Sequence, residues 1–193
     1  MAAPNLNLSL PHSWKAEILA ARPLILPKRN FVYPRQAEEV EQGALEILVD
    51  PLRPEVQPFL ATCALGFRDP SVPTGIWSAP HPDWLCAVAG GYAYLIDTTA
   101  PEDFTMIPYR PAMQILPAHT EGQSDARCLL FVGHHSILAW GEDGQMWESN
   151  RLSDEGVTIS QVHSGVLHGM GWQMRSDKEY AFRLDLCTGQ LLP

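Results

Sequence analysis

Tyr94-Leu95-Ile96-Asp97, Leu138-Ala139-Trp140-Gly141 and Phe182-Arg183-Leu184-Asp185 repeat one pattern, an apolar residue followed by Asp or Gly. Ile96, Trp140 and Leu184 stand 44 residues apart both times. The last two copies run on into Asp143-Gly144-Gln145 and Thr188-Gly189-Gln190, where turn chemistry leads into another stretch. A period near 44 suits a four-stranded, propeller-type blade.

Outward from these copies, short apolar runs recur every 8 to 12 residues, the spacing of an antiparallel all-β domain. Trp84 to Ala89 and Tyr92 to Ile96 read as strands joined by a tight Gly90-Gly91 turn. Phe104 to Ile107, Met113 to Leu116, Arg127 to Val132, Ile137 to Trp140 and Gln145 to Glu148 continue the series. Val157 to Val162, Val166 to Trp172 and Tyr180 to Leu186 complete it, and Leu45 to Val49 and Phe59 to Phe67 extend it backwards. The fold class expected is all-β, built of antiparallel meanders and partially propeller-like, with about three blade-like repeats. A β-sandwich with a coincidental repeat is the alternative.

Residues 1–42 read differently. Pro4, Pro11, Pro23, Pro27 and Pro34 break periodicity, since each proline removes a donor and restricts its predecessor. The expectation is an irregular Pro-rich arm with little helix, followed by an all-β domain over 43–193. Ser13 to Ala21 is the candidate short helix, capped by Ser13 and stopped before Pro23. A further helical turn is expected over 35–42, ended by Gly43.

The formal charge of −9 repels a nucleic-acid backbone or an anionic membrane as main partner and suits a basic protein. Met1 to Leu10 is polar and shows no export signal, and no eighteen apolar residues occur together. Cys63, Cys86, Cys128 and Cys187 form no CxxC pair and read as free thiols, so a cytoplasmic protein is expected.

Chemistry is sparsely signalled. If Ser164-Gly165 is a two-residue hairpin loop, His163 faces Val166, and His168 shares that side about 7–8 Å away. His163 and His168 are therefore the candidate metal ligands, with Asp154 or Glu155 as nearby carboxylates and a third ligand still required. Adjacent His134 and His135 fall in a turn. Glu38, Glu39, Glu41, Glu142, Asp143 and Glu148 lie in polar stretches typical of solvated surface. Trp77, Trp84, Trp140, Trp147 and Trp172, with Tyr92, Tyr94 and Tyr109, suit a core between sheets better than a groove. There is no GxSxG, GxxxxGK[ST] or HExxH motif, and Gly169-Met170-Gly171 lacks the third glycine of a dinucleotide loop.

Trp84 to Asp97, Glu142 to Leu152, Gly171-Trp172 and Asp185 to Gly189 together resemble small uncharacterised bacterial proteins over roughly the last 110 residues. The pieces also resemble blades of quinoprotein-type or WD-type propellers. Neither resemblance implies an activity, a cofactor or a site residue. The function expected is a non-catalytic interaction module, homodimeric through a sheet edge or bound to a basic protein. The alternative is a metal-assisted hydrolase with scattered loop ligands.

Overall fold

The computed structural model describes residues 4–35, 43–119 and 127–193. Among these residues the chain is all-β, with sixteen strands in four sheets, none of them closed. Met1–Pro111 and Ala112–Pro193 form two compact units.

The first unit contains β1 (Asn5–Asn7), β2 (Trp14–Leu19), β3 (Asn30–Tyr33), β4 (Ala44–Pro51), β5 (Phe59–Ala64), β6 (Gly75–Ser78), β7 (Trp84–Ala89), β8 (Tyr92–Asp97) and β9 (Phe104–Met106). They pair as β2-β4-β5-β3 and β1-β6-β7-β8-β9. All contacts are antiparallel except β1 with β6 and β3 with β5. Alternate residues of both sheets meet in one core around Trp14, Ile47, Phe59, Ile76, Leu85, Tyr94 and Ile96. Its buried polar tips are satisfied: Trp14 Nε1 donates to the Trp84 carbonyl at 3.1 Å, and the Tyr94 hydroxyl to the Ala64 carbonyl at 2.9 Å. Gly90 and Gly91 have φ of 57° and 75°, so the expected two-residue turn joins β7 to β8 in the twist a hairpin favours.

The described residues before position 43 are not a separate arm. They supply β1, β2 and β3, and the compact units divide between Pro111 and Ala112 rather than near residue 42. The helix expected over Ser13 to Ala21 is strand β2. Trp14, Ala16 and Ile18 alternate with Lys15 and Glu17, a period of two that outweighs the Ser13 cap. Prolines are tolerated around these segments because β1, β2 and β3 all lie at sheet edges. Beyond Arg35, the helical turn expected over 35–42 lies outside the described residues.

The second unit contains β10 (Gln114–His119), β11 (Arg127–Val132), β12 (Ile137–Gly141), β13 (Gly144–Glu148), β14 (Val157–His163), β15 (Val166–Gln173) and β16 (Lys178–Asp185). Two antiparallel meanders result, β10-β11-β12-β13 and β14-β15-β16. A bridge from Leu184 to Leu191 lies beside β16. Leu130, Ile137, Ala139, Trp147, Leu167, Phe182 and Leu184 form its core, and Trp147 Nε1 donates to the Leu186 carbonyl at 2.9 Å.

The three sequence copies occupy like strands. β8, β12 and β16 are each flanked by an antiparallel hairpin partner before them and a second antiparallel contact after them. The 44-residue spacing is one residue off at the middle copy. Ile96 and Leu184 are core residues, whereas on β12 the core residue is Ala139, and Trp140 is half-buried beside a register shift. A one-residue slip turns a side chain to the other face of a strand. The Asp that ends two copies folds the following loop. Asp97 Oδ1 accepts the Thr99 amide at 2.8 Å, and Asp185 Oδ1 accepts the Thr188 amide at 2.8 Å.

All four cysteines are free, with Cys63, Cys86 and Cys128 buried and Cys187 exposed. Burial raises the Cys63 and Cys86 thiols well above their ordinary range, and burial with the neighbouring Cys187 pushes Cys128 up to about 12. Thiolates are the reactive form. Titration with a disulfide reagent is expected to modify one thiol in the native protein and all four after denaturation. A second fast-reacting thiol in the native state contradicts the burial.

Candidate functional site

The connection from β2 to β3 is the most unusual surface of the first unit. These strands are the two edges of one sheet, so residues 20–29 must cross three strand spacings, roughly 14 Å. Ten residues reach up to about 33 Å when extended, which leaves slack for the middle to stand away from the sheet. Pro23 and Pro27 bracket that middle, Leu24-Ile25-Leu26. Proline at each end fixes φ and withholds a donor, so the segment joins no ladder.

Leu24 is exposed to 104% of its reference area, Ile25 to 89% and Leu26 to 41%. Among the described residues the other large exposed apolar side chains occur singly, which is ordinary for a protein surface. Three in succession form a contiguous apolar tip. Its base is held firmly on one side. Arg29 donates to the Gln57 carbonyl and lies 5.8 Å from the ring centroids of both Phe31 and Phe59, while Asn30 Nδ2 donates to the Pro27 carbonyl at 3.0 Å. Arg22 and Lys28 are exposed and form no ion pair among the described residues.

A shallow cleft of about 210 Å³ lies farther along β3, lined in part by Phe31, Tyr33, Arg35, Glu102 and Phe104. The Tyr33 hydroxyl donates to the Pro101 carbonyl at 2.7 Å, and Arg35 donates to the Glu102 carbonyl at 2.7 Å. Burial raises the Tyr33 phenol far beyond neutral pH. The cleft therefore offers aromatic surface, the Arg35 guanidinium and the outer edge of β3, and it presents no ionising phenol.

A polar knot secures the opposite end of β2. Asp83 accepts hydrogen bonds from Ser13 and, through both oxygens, from Arg53, whose Nε lies 3.3 Å from Oδ1. Desolvation pushes the Asp83 carboxyl up, but the Ser13 and Arg53 hydrogen bonds and the Arg53 charge outweigh it and hold it below its ordinary range. A depressed carboxyl stabilises the fold above its unfolded pKa, and that contribution disappears as pH falls through the folded value. The Asp83→Ala variant is expected to lose about 1–3 kcal/mol at neutral pH, measured by urea unfolding. It should also lose less stability on acidification below about pH 4 than the parent chain does. Equal acid sensitivity in both proteins contradicts the assignment.

The histidines fall where the hairpin reading puts them. Ser164 and Gly165 have φ of 49° and 73°, His163 faces Val166, and Gln161 faces His168. His163 and His168 thus share the outward side of the β14–β15 hairpin, while Leu167 points to the core. The carboxylates expected to join them are elsewhere. Asp154 Oδ2 accepts the Met174 amide at 2.8 Å, and its Oδ1 lies 3.3 Å from Arg151 Nε. Met174 is six residues beyond His168 along an extended chain, roughly 20 Å away. The Asp154 amide donates to the Trp172 carbonyl at 2.8 Å, which keeps Glu155 at that same distant end. Among the described residues no three His, Cys, Asp or Glu side chains gather as a metal site.

His134 and His135 lie 6.2 Å apart between ring centroids, and His135 Nδ1 is 3.2 Å from the Ser153 carbonyl. Glu142, Asp143 and Glu148 are exposed, and Glu38, Glu39 and Glu41 lie outside the described residues. Trp77 and Trp147 are buried, as is Trp14; Trp84, Trp140 and Trp172 are half-buried. Sequence reasoning passed over the exposed loop, although three aliphatic residues between two prolines suit neither a strand interior nor a helix. No helix among the described residues is long and apolar enough to cross a membrane. Comparison with protein-family models, with curated proteins and with solved structures finds no match for this chain.

Proposed function

We propose that this chain is a non-catalytic binding module that engages its target through the Pro23–Pro27 loop. The observation that carries the reading is the solvent exposure of Leu24, Ile25 and Leu26 on a loop whose base is anchored by Arg29 and Asn30. Exposed aliphatic side chains gain nothing within the fold, and burial against a target is worth about 1.5–3 kcal/mol for each one fully covered. Prolines at both ends reduce the conformational freedom lost on binding. Cytoplasmic residence belongs to the same proposal, supported by four unpaired cysteines. So does a propeller-like arrangement, supported by the like order of the three meanders.

The loop refines the expected partner. The whole chain is acidic and favours a basic target, but the loop is flanked by Arg22 and Lys28 and favours negative charge beside an apolar surface. The cleft beside β3 supports a second reading, the sheet-edge homodimer, in which another copy pairs along the outer edge of Asn30–Tyr33. Sedimentation velocity over a range of concentrations separates the two: a stable dimer favours the edge, a monomer favours the loop.

The triple variant Leu24→Ser, Ile25→Ser, Leu26→Ser tests the main reading. Its unfolding free energy should stay within about 0.5 kcal/mol of the parent, because these side chains lie outside the core. A larger loss shows that the residues pack within the fold and removes the basis of the proposal.

A further inference from the structure

Charge near the loop runs against the rest of the chain. No Asp or Glu occurs between Glu17 and Glu38, a stretch that holds Arg22, Lys28, Arg29 and Arg35. Nine Lys and Arg remain elsewhere against all 22 Asp and Glu. Arg29 and Arg35 are tied to backbone carbonyls, which leaves Arg22 and Lys28 on the two sides of the apolar tip.

We infer that the Pro23–Pro27 loop docks on an anionic lipid surface, with Leu24 and Ile25 entering the acyl boundary and Arg22 and Lys28 meeting headgroup phosphates. The inference rests on the binding-module reading and names its target. Three features favour lipid over a protein pocket. The tip is aliphatic, whereas the residues that dominate protein interfaces are Trp, Tyr and Arg, with Leu under-represented. Leu24 and Ile25 are almost wholly exposed, which suits a fluid phase that needs no matching shape. Cations on both sides of an apolar tip reproduce the layering of an interfacial anchor.

The net charge of −9 does not oppose this arrangement at close range. Screening confines exposed charges to about 8 Å at physiological ionic strength, so the contacting loop governs the interaction more than distant carboxylates do. Each Lys or Arg near an anionic surface strengthens binding about five-fold. Three aliphatic residues are far too few to span a bilayer, so the mode is insertion at the surface, reversible and weakened by salt.

The test uses the full chain with phosphatidylcholine vesicles, with and without phosphatidylserine, in a flotation assay. The chain should float with the anionic vesicles and bind neutral ones about 25-fold more weakly, as two cations at about five-fold each imply. Arg22→Glu with Lys28→Glu should abolish the preference, and Leu24→Ser with Ile25→Ser should abolish binding to both. In a Cys187→Ser background, an environment-sensitive dye on Ile25→Cys should shift to the blue with anionic vesicles, while the same dye on Met174→Cys should not. Absence of binding to anionic vesicles, or binding that survives Leu24→Ser with Ile25→Ser, overturns the lipid assignment. If vesicles fail while Ile25 contacts a protein, the lipid target falls and the binding-module reading stands. If Ile25 contacts neither, both fall.

Discussion

Replacement of Trp14 by alanine is expected to cost about 3–5 kcal/mol of unfolding free energy, the usual range for deleting a fully buried aromatic side chain. Trp14 is completely buried at the start of β2, within the core shared by the two sheets of the first unit. Its indole also satisfies the Trp84 carbonyl, which the substitution leaves without that donor. Lys15→Ala, one residue along and exposed, should change stability by no more than about 0.5 kcal/mol. Urea unfolding followed by circular dichroism compares them directly. A loss below about 1 kcal/mol for Trp14→Ala contradicts the assignment of β2 to the core.

Substitution of Gly171 by alanine should cost about 3 kcal/mol, the upper part of the range for an overpacked core. A Cβ at Gly171 would stand 2.1 Å from the Leu152 carbonyl oxygen, which accepts the Tyr180 hydroxyl. Backbone cannot yield there without pulling Leu152 out of the second core. Gly165 provides the contrast. Nothing lies within 4 Å of its Cβ position, and its φ of 73° is the only objection, so Gly165→Ala should cost about 1 kcal/mol. Near-equal losses at the two positions contradict the close approach of Leu152 to β15. Failure of the Gly171→Ala chain to fold is the same outcome in stronger form.

These two sites also show what a reader of the sequence can see. From Trp84 onward the strands were legible because short apolar runs alternate with Gly and Asp turns, and Trp84–Ala89 matches β7 residue for residue. Before it, β4 and β5 are equally legible, whereas proline hides β1, β3 and β6. β6 has four residues between Pro73 and Pro80, too few to show a period, and its burial comes from neighbours far along the chain. At β2 Ser13 suggests a helix cap, although Trp14, Ala16 and Ile18 alternate as a strand requires. In fact Ser13 spends its hydroxyl on Asp83.

Gly169-Met170-Gly171 lacks the third glycine of a dinucleotide loop, and the sequence alone assigns its glycines no role. It is a core strand in which Gly169 faces Phe182 and Gly171 faces Tyr180, so both glycines make room for aromatic rings. Only the partner strand discloses that purpose. The histidine pair was legible because hairpin geometry is local. The position of Asp154 was not, because the Met174 amide that holds it lies twenty residues away. The aliphatic loop is the converse case, visible as three consecutive letters but meaningful only once Leu24 and Ile25 are seen in water rather than in a core.

The central claim is that this tip meets a target rather than standing idle. A photoreactive amino acid in place of Ile25 measures it most directly, in cells producing the full chain, with the exposed Met174 as the control position. The account predicts a discrete adduct at position 25, lipid or protein, that is absent at position 174 and lost when Leu24 and Leu26 become serine. Equal, diffuse labelling at both positions contradicts it.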